Sequence, residues 1–439
     1  MGTGARTGKA ALTPSMYVGI VAYVVLIAKV LLLSWIDGGI WVGGAGIQRF
    51  AELAVMDTYG LFAPGVEMLS SGYASLVHLL GLVLKTDALW PVAVMQSALL
   101  SFAVWYFAVS LRHTRIAWAT VPLAYLLLLD PPFSMATLAL GPDGVVGSLV
   151  LLGMGQLVRD LATPRADRRA RRMLLGAASF GVAALLAPLL SIGAIIVLYT
   201  WAAIRGSREQ AISLGSAAAA LLLALPLLLL VRNEIASNSA AIPAFSTDPS
   251  ISVTGGAGNA GSDGSRCGIG SLGVTSLHPD TFRCLVGWYR EASAETSDRA
   301  VPNATAFWAP WIGPMSKSGL DDNPWTAVHP LHRFGDAADP RTLLGSPIAS
   351  FASWLWLLAS MALVVTGAAA LRGLNDLERE LSTAAIALVG GTWVLATLTD
   401  ADAGSRMPVL GLTVLLQLIG LRYLATRGRP SARDPFVVT

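Results

Sequence analysis

Apolar runs of about 20 residues, the length that crosses a bilayer as a helix, recur along this chain between polar segments. Such runs predict membrane-spanning helices, because lipid offers no hydrogen bonds to an exposed backbone. We predict ten spans, at residues 16–35, 91–111, 116–130, 144–158, 173–188, 190–204, 211–231, 350–371, 381–399 and 407–424. The expected fold class is therefore an all-α polytopic membrane protein.

The stretch 173–204 is too long for one comfortable span and has basic residues at both ends. Since short cytoplasmic loops carry an excess of Lys and Arg, the charges favour a hairpin that turns near residues 188–191. The alternative, one long tilted helix, would invert everything that follows. With the hairpin, most cations, including the arginines of the loop 159–172, lie in the cytoplasm. We therefore expect a multi-pass protein of the cell membrane with both termini cytoplasmic.

Two longer segments then fall on the outer side of the membrane. The predicted order is a cytoplasmic tail (1–15), spans one to seven (16–232) with an outer loop (36–90), an outer region (233–349), spans eight to ten (350–424) and a cytoplasmic tail (425–439). Within the outer loop, residues 47–56 and 72–84 predict short helices on the membrane surface or re-entering it. The outer region carries seven cations against eleven acids, the opposite bias to the inner loops.

Composition narrows the possible classes of protein further. The chain is 54% hydrophobic and 13% charged, against about 25% charged in a typical soluble domain. This excludes a soluble enzyme fold and intrinsic disorder. A net charge of +3 gives no indication of a nucleic-acid partner, and no nucleotide-binding motif is present in the sequence. The expected surroundings are membrane lipids.

Both cysteines of the chain, Cys267 and Cys284, lie in the outer region. A pair on the side away from the cytoplasm predicts one disulfide, with two free thiols as the alternative. No histidine or further cysteine stands at ligand spacing nearby, so we predict no metal site there.

Several carboxylates are predicted to gather on the outer face, where ionisable groups at membrane depth are costly. Asp37 follows the first span beside two glycines and could act as a general base toward a bound hydroxyl, or simply face water. Asp143 begins the fourth span, where capping a helix is the structural alternative. Asp130 ends the preceding span, and Asp57 in the outer loop is either solvated or functional.

Two cations depart from the cytoplasmic bias. Arg406 directly precedes the last span on the outer side, where a guanidinium suits bidentate contact with a phosphate. Pairing with Asp400 or Asp402 is the alternative. Lys29 lies inside the first span, near enough to its outer end for the ammonium to snorkel to the interface.

The outer region also holds aromatic residues among prolines. Trp308 and Trp311 present flat apolar faces, which suit sugar rings but also suit the membrane interface. His329 and His332 could bind a metal or a phosphate, but Pro330 between them disfavours a shared helical face.

This layout resembles the GT-C superfamily of membrane glycosyltransferases. Asp37 matches the acid that opens the first outer loop, and Asp143 matches a second outer acid before the fourth span. Residues 181–191 resemble the family's hairpin turn, with Ala187 where members have arginine. Residues 405–410 resemble the segment with arginine and proline that opens the last span in many members.

The resemblance implies transfer of a sugar from a polyprenyl-phosphate-linked donor to a glycan or lipid acceptor of the cell envelope. Asp37 would deprotonate the acceptor, Arg406 would bind the departing lipid phosphate, and Asp143 would position the acceptor or a divalent ion. The sequence itself requires no cofactor. The rival hypotheses are a transporter or flippase of a lipid-linked sugar and a non-catalytic membrane scaffold.

Overall fold

The computed structural model describes residues 13–35, 39–41, 50, 53–54, 56–57, 71–85, 89–162, 169–205, 304, 307–308, 347–398 and 404–427. The predicted span 211–231 lies outside these residues. So do five of the candidate site residues, namely Asp37, Trp311, His329, Cys267 and Cys284. Their assigned roles, including the disulfide, stay predictions.

The described residues are almost entirely helical. The helices are α1 (Pro14–Leu33), α2 (Ser71–Leu84), α3 (Trp90–Ser110), α4 (Thr120–Leu129), α5 (Pro131–Met135), α6 (Asp143–Ala162), α7 (Arg169–Leu186), α8 (Ser191–Arg205), α9 (Pro347–Arg372), α10 (Asp376–Leu398) and α11 (Leu410–Arg427). Every predicted span other than 211–231 falls on one of these helices. The only extended pairing in the described residues is a single bridge between Trp41 and Ala139.

Six of the described helices are long and apolar enough to cross a membrane. They are Pro14–Leu33, Trp90–His113, Asp143–Ala162, Leu355–Arg372, Asp376–Thr397 and Ser405–Thr426. Four shorter apolar helices accompany them, at Tyr73–Leu84, Ala117–Leu129, Arg172–Ala184 and Ser191–Ile204. The expected class, a helical membrane protein, is therefore supported in its coarse form.

The chain turns back on itself between α7 and α8. The backbone leaves the helix at Ala187 and passes through a 3-10 turn at Pro188–Leu190. A Cβ added to Gly176, in the first half of α7, would lie 2.5 Å from the ring of Trp201 near the end of α8. The two helices are therefore antiparallel, and the hairpin inferred from charge is confirmed against one long helix.

Close helix crossings occur at glycines, as is usual where helices associate in lipid. A Cβ on Gly367 of α9 would overlap the carbonyl oxygen of Leu416 in α11, and one on Gly420 would overlap that of Leu363. A Cβ on Gly193 of α8 would lie 2.7 Å from the carbonyl oxygen of Ala387 in α10. These contacts bring the C-terminal helices against α8 and against each other.

Side-chain contacts divide the helix ends into two groups. One group, which we call the arginine end, holds Arg112, Arg115, Arg159 and Arg422. There the Trp105 indole donates to the Ser15 carbonyl at 3.3 Å, so the start of α1 also lies at this end. The opposite group surrounds residues 130–142, which we call the connector, and is named the connector end. These four of the cations assigned to the cytoplasm thus share one end of the described helices.

Candidate functional site

The connector begins with an acidic residue that caps a short helix. Asp130 is in an extended conformation after α4, as expected before Pro131, and its carboxylate accepts a hydrogen bond from the Phe133 backbone N–H at 2.9 Å. Burial raises the pKa of the Asp130 carboxyl, while this hydrogen bond and the charge of Arg406 lower it. Asp130 is thus held in a half-buried position close enough to Arg406 for the two charges to interact.

The connector is also tied to the segment that follows α1. The Trp41 N–H donates to the Leu138 carbonyl, and the Leu140 N–H donates to the Trp41 carbonyl, both at 2.8 Å. The segment that begins with the predicted base Asp37 therefore meets the segment that leads to Asp143. Asp37 itself lies outside the described residues.

Lys29 does not snorkel to the interface as the sequence suggested. Its side chain is 3% exposed, and its ammonium donates to the Thr137 hydroxyl at 3.1 Å. Thr137 in turn donates to the Ser134 carbonyl at 2.9 Å and is 3.0 Å from the Ser97 hydroxyl. The buried Lys29 of α1 is therefore bonded directly to the connector, through the Thr137 hydroxyl.

An amide extends this polar cluster to α2. In the orientation that satisfies all of its polar atoms, Gln96 accepts from the Tyr73 hydroxyl and donates to the carbonyls of Thr137 at 3.0 Å and Ala139 at 3.3 Å. The connector is thereby bonded to α1, α2 and α3. These hydrogen bonds fix the position of the connector.

Arg406 is buried at the same end of the bundle. It lies in the 3-10 helix Gly404–Val409 and is 3% exposed, rather than standing at the surface among lipid headgroups. Its guanidinium carbon is 6.0 Å from the ring centre of Trp308, and the charge of Asp130 acts on it. Asp400 and Asp402, the partners weighed from the sequence, lie outside the described residues.

Trp308 is a packed residue in this arrangement. It is 4% exposed and makes edge-to-face contacts with Phe307 at 5.4 Å and with Trp393 of α10 at 6.2 Å. The Trp393 indole donates to the Ala304 carbonyl at 3.1 Å, which anchors this part of the outer region to α10. The ring thus packs beside Arg406, and a contact with sugar stays a prediction.

The first two turns of α6 join the Lys29 cluster to the Arg406 segment. Asp143 is half-buried and is the first residue of α6, so it follows the capping position rather than occupying it. A Cβ on Gly144 would lie 2.7 Å from the Thr137 methyl group, and a Cβ on Gly147 would lie 3.4 Å from the Met407 carbonyl oxygen. Glycine at both positions lets the connector and the Arg406 segment approach the backbone of α6.

Several groups contribute positive potential near the N-terminus of α6. The unpaired N–H groups of a helix N-terminus carry about half a positive charge. The first two turns of α6 contact Thr137, which binds the Lys29 ammonium, and Met407, the neighbour of Arg406. The carboxylate of Asp130 balances part of the charge of Arg406. An arrangement of two cations at a helix N-terminus is suited to binding an anion such as a phosphate.

The described candidate residues differ in how they relate to this site. Asp143, Arg406 and Trp308 come together there, whereas Asp57 does not: it accepts a hydrogen bond from His78 of α2 at 2.7 Å. Within the described ranges, no group of three His, Cys, Asp or Glu residues could hold a metal ion.

Sequence reasoning underrated Lys29 and Asp130 and missed Thr137. A lone lysine in an apolar run and an acid before two prolines were the visible signals for the first two. Thr137 gave no signal, because an isolated threonine in a polar connection is unremarkable until its partners are known.

The fold and these buried charges define a helical membrane protein with a polar site at one end of its bundle. Comparison of the chain with protein-family models, with curated proteins and with solved structures finds no match. Its function must therefore be inferred from the site.

Proposed function

We propose that this protein is a GT-C-like membrane glycosyltransferase that takes a sugar from a polyprenyl-phosphate-type lipid at the extracytoplasmic face. The acceptor is a glycan or lipid of the cell envelope. One observation carries the proposal: Lys29 and Arg406, from opposite ends of the sequence, are both buried and are connected to the first two turns of α6, Lys29 through Thr137 and Arg406 through its neighbour Met407.

The argument for a phosphate begins with the cost of burying cations. Removing an ion from water costs several kcal/mol even after the protein relaxes, roughly the stability of a whole small domain. A cation near the positive end of a helix is also repelled by that end. A bound phosphate would offset both terms, because each oxygen accepts charge-assisted hydrogen bonds from ammonium, guanidinium or backbone N–H groups.

The argument for a lipid carrier rests on where the site lies. Lys29 belongs to a helix that is long and apolar enough to cross a membrane, and Arg406 is the second residue of another. A phosphate that binds these side chains would therefore lie inside the connector end of the bundle, next to membrane-length helices. The positive-inside rule places the arginine end in the cytoplasm and therefore the connector end outside.

The implied reaction is a direct displacement at the anomeric carbon of the donor sugar. An acceptor hydroxyl gives its proton to a carboxylate, Asp37 in the role implied by the family resemblance, and its oxygen forms the new bond to the anomeric carbon. The bond from that carbon to the phosphate oxygen breaks, and the phosphate leaves with the electron pair. Fixed cations that meet this developing charge supply the largest catalytic contribution.

The two rival functions predict different arrangements of polar side chains within the helix bundle. A flippase needs a polar path between the two ends of the bundle, but the middle of α6 is buried through the apolar side chains of Val150, Leu151 and Met154. A non-catalytic scaffold would leave the candidate residues scattered, whereas Asp143 and Arg406 share the first turns of α6 and its contacts. The enzyme hypothesis fits both observations better.

The test is sugar transfer in membranes that contain the full chain and a labelled polyprenyl-phosphate sugar. Arg406→Gln keeps hydrogen-bonding groups but removes the charge, so transfer should fall by roughly 100-fold or more, as for the loss of one oxyanion donor. Arg379→Gln is the matched control, because Arg379 is paired with Asp376 at 2.8 Å near the arginine end.

Two results would contradict the proposal. One is normal transfer by Arg406→Gln at the same expression level, and the other is an equal loss in Arg379→Gln. Asp37→Asn in the same assay examines the proposed base separately, since it should abolish transfer while the donor lipid still binds.

A further inference from the structure

The indole N–H of Trp308 is a buried hydrogen-bond donor without an acceptor in the described part of the chain. Trp308 is 4% exposed, and its Nε1 makes no hydrogen bond there. A buried polar group in this state costs the fold free energy, because water would have accepted its hydrogen bond. Such a group in a native protein calls for an explanation, and an acceptor on a ligand provides one.

Other indole N–H groups of the described residues are bonded or belong to more exposed side chains. Three of them donate to an oxygen of the protein, at 3.3, 2.9 and 3.1 Å, namely those of Trp105, Trp201 and Trp393. Trp41 and Trp118 also have an unbonded N–H, but both residues are half-buried. Trp308 thus combines a fully buried ring with an N–H that lacks an acceptor.

The ring of Trp308 is covered by neighbouring side chains. Phe307 and Trp393 pack edge to face with it, at 5.4 and 6.2 Å between ring centres. The guanidinium carbon of Arg406 is 6.0 Å from its ring centre. Stacking on a sugar would need an open ring face, which this packing does not provide. A contact through the N–H needs room for one oxygen atom alone.

The closeness of Trp308 and Arg406 favours an anion as that acceptor. Donors that share one phosphate are each about 2.9 Å from one of its oxygens, so groups as close as these two can contact the same phosphate. Asp130, the acid whose charge acts on Arg406, accepts from the Phe133 N–H rather than from this indole. An anion from outside the chain therefore suits both the indole and the guanidinium.

We propose that the Trp308 N–H donates a hydrogen bond to the same phosphate that Arg406 binds. Trp308 then recognises the donor lipid through its N–H and not through its ring face. The inference rests on the proposed function, which supplies the phosphate. Because negative charge on the phosphate grows as the sugar leaves, a fixed donor at this position strengthens its bond during transfer.

The test replaces Trp308 with benzothienylalanine, which keeps the shape of tryptophan but has sulfur in place of the N–H. Affinity of the full chain for polyprenyl phosphate in neutral detergent should fall about tenfold, as for loss of one hydrogen bond to a charged acceptor. The unfolding temperature of the lipid-free protein should stay the same or rise, since no hydrogen bond within the protein is lost.

Trp393 provides the matched control, because its N–H donates within the protein to the Ala304 carbonyl at 3.1 Å. The same replacement there should lower the unfolding temperature and leave the affinity for polyprenyl phosphate unchanged. Unchanged affinity in the Trp308 variant would overturn the proposal. So would a fall in its unfolding temperature as large as that of the Trp393 variant, because the N–H would then be bonded within the protein.

Two further arms separate this proposal from the proposed function. If Arg406→Gln loses affinity for polyprenyl phosphate and the Trp308 variant does not, the failure concerns Trp308 alone. Binding that depends on Trp308, in membranes that transfer no sugar, would instead refute the glycosyltransferase and keep the contact. Inorganic phosphate is the other source of the anion, and an affinity equal to that of polyprenyl phosphate would overturn the assignment to a lipid.

Discussion

Replacing Lys29 with methionine separates a structural role of this buried cation from a role in binding phosphate. Methionine has a similar length but no charge and no hydrogen bond to offer. Lys29 is 3% exposed, and the Thr137 hydroxyl that it contacts also bonds to Ser134 and Ser97. The substitution therefore leaves Thr137 paired and removes a buried charge.

The two roles predict opposite changes. Exchanging buried charge for apolar side chains is often neutral or stabilises by about 1–4 kcal/mol, so the unfolding temperature of the lipid-free protein should stay the same or rise. Loss of a charge-assisted hydrogen bond to phosphate costs about 2 kcal/mol, which corresponds to roughly 30-fold weaker binding of polyprenyl phosphate. The unfolding temperature and the affinity for polyprenyl phosphate should thus change independently of each other.

The assay pairs thermal unfolding in detergent with titration of polyprenyl phosphate. Lys85→Met is the control, because Lys85 is exposed after the end of α2. A folded Lys29→Met protein with unchanged affinity for polyprenyl phosphate would refute the reasoning. A large loss of stability that Lys29→Arg restores would instead show that the charge serves the fold alone.

Two further substitutions test the packing on which the site depends. Gly144→Ala places a methyl group 3.0 Å from a backbone nitrogen of the connector and should lower the stability measured by thermal unfolding by about 1–3 kcal/mol. Gly141→Ala is the control, because its methyl group meets nothing within 4 Å and should leave the stability unchanged. Glu378 is 0% exposed and accepts from the Arg115 N–H. Glu378→Ala should therefore lower the free energy of unfolding by about 1–3 kcal/mol, while Glu378→Gln should retain most of the stability. Equal losses of the two variants in chemical denaturation would contradict this.

The helices could be predicted from the sequence because their signal is local. The length of an apolar run can be read directly from the sequence. The cations at both ends of 173–204 likewise predicted the hairpin that turns at Ala187 and Pro188. Such reasoning needs no knowledge of which helix packs against which. It therefore predicted most of the described helices, six of which are long and apolar enough to cross a membrane, and the turn, but not the neighbours of any side chain.

The site depends on distant contacts and was accordingly predicted only in part. Lys29 and Thr137 are 108 positions apart, so nothing near Lys29 in the sequence shows that its ammonium is buried. The same holds for Trp308, whose aromatic character was visible but whose contact with Trp393 was not. Asp143 and Arg406 were found because each breaks a local pattern at the end of a span.

The two cations at the connector end differ in physical terms from those at the arginine end. Arg112 and Arg115 are exposed, where charge costs little and serves to orient the chain in the membrane. Lys29 and Arg406 are buried at the end that the charge bias leaves poor in cations, where an apolar residue would pack at lower cost. Since orientation in the membrane does not account for them and their burial is costly, we propose binding of an anion as the role that their positions favour.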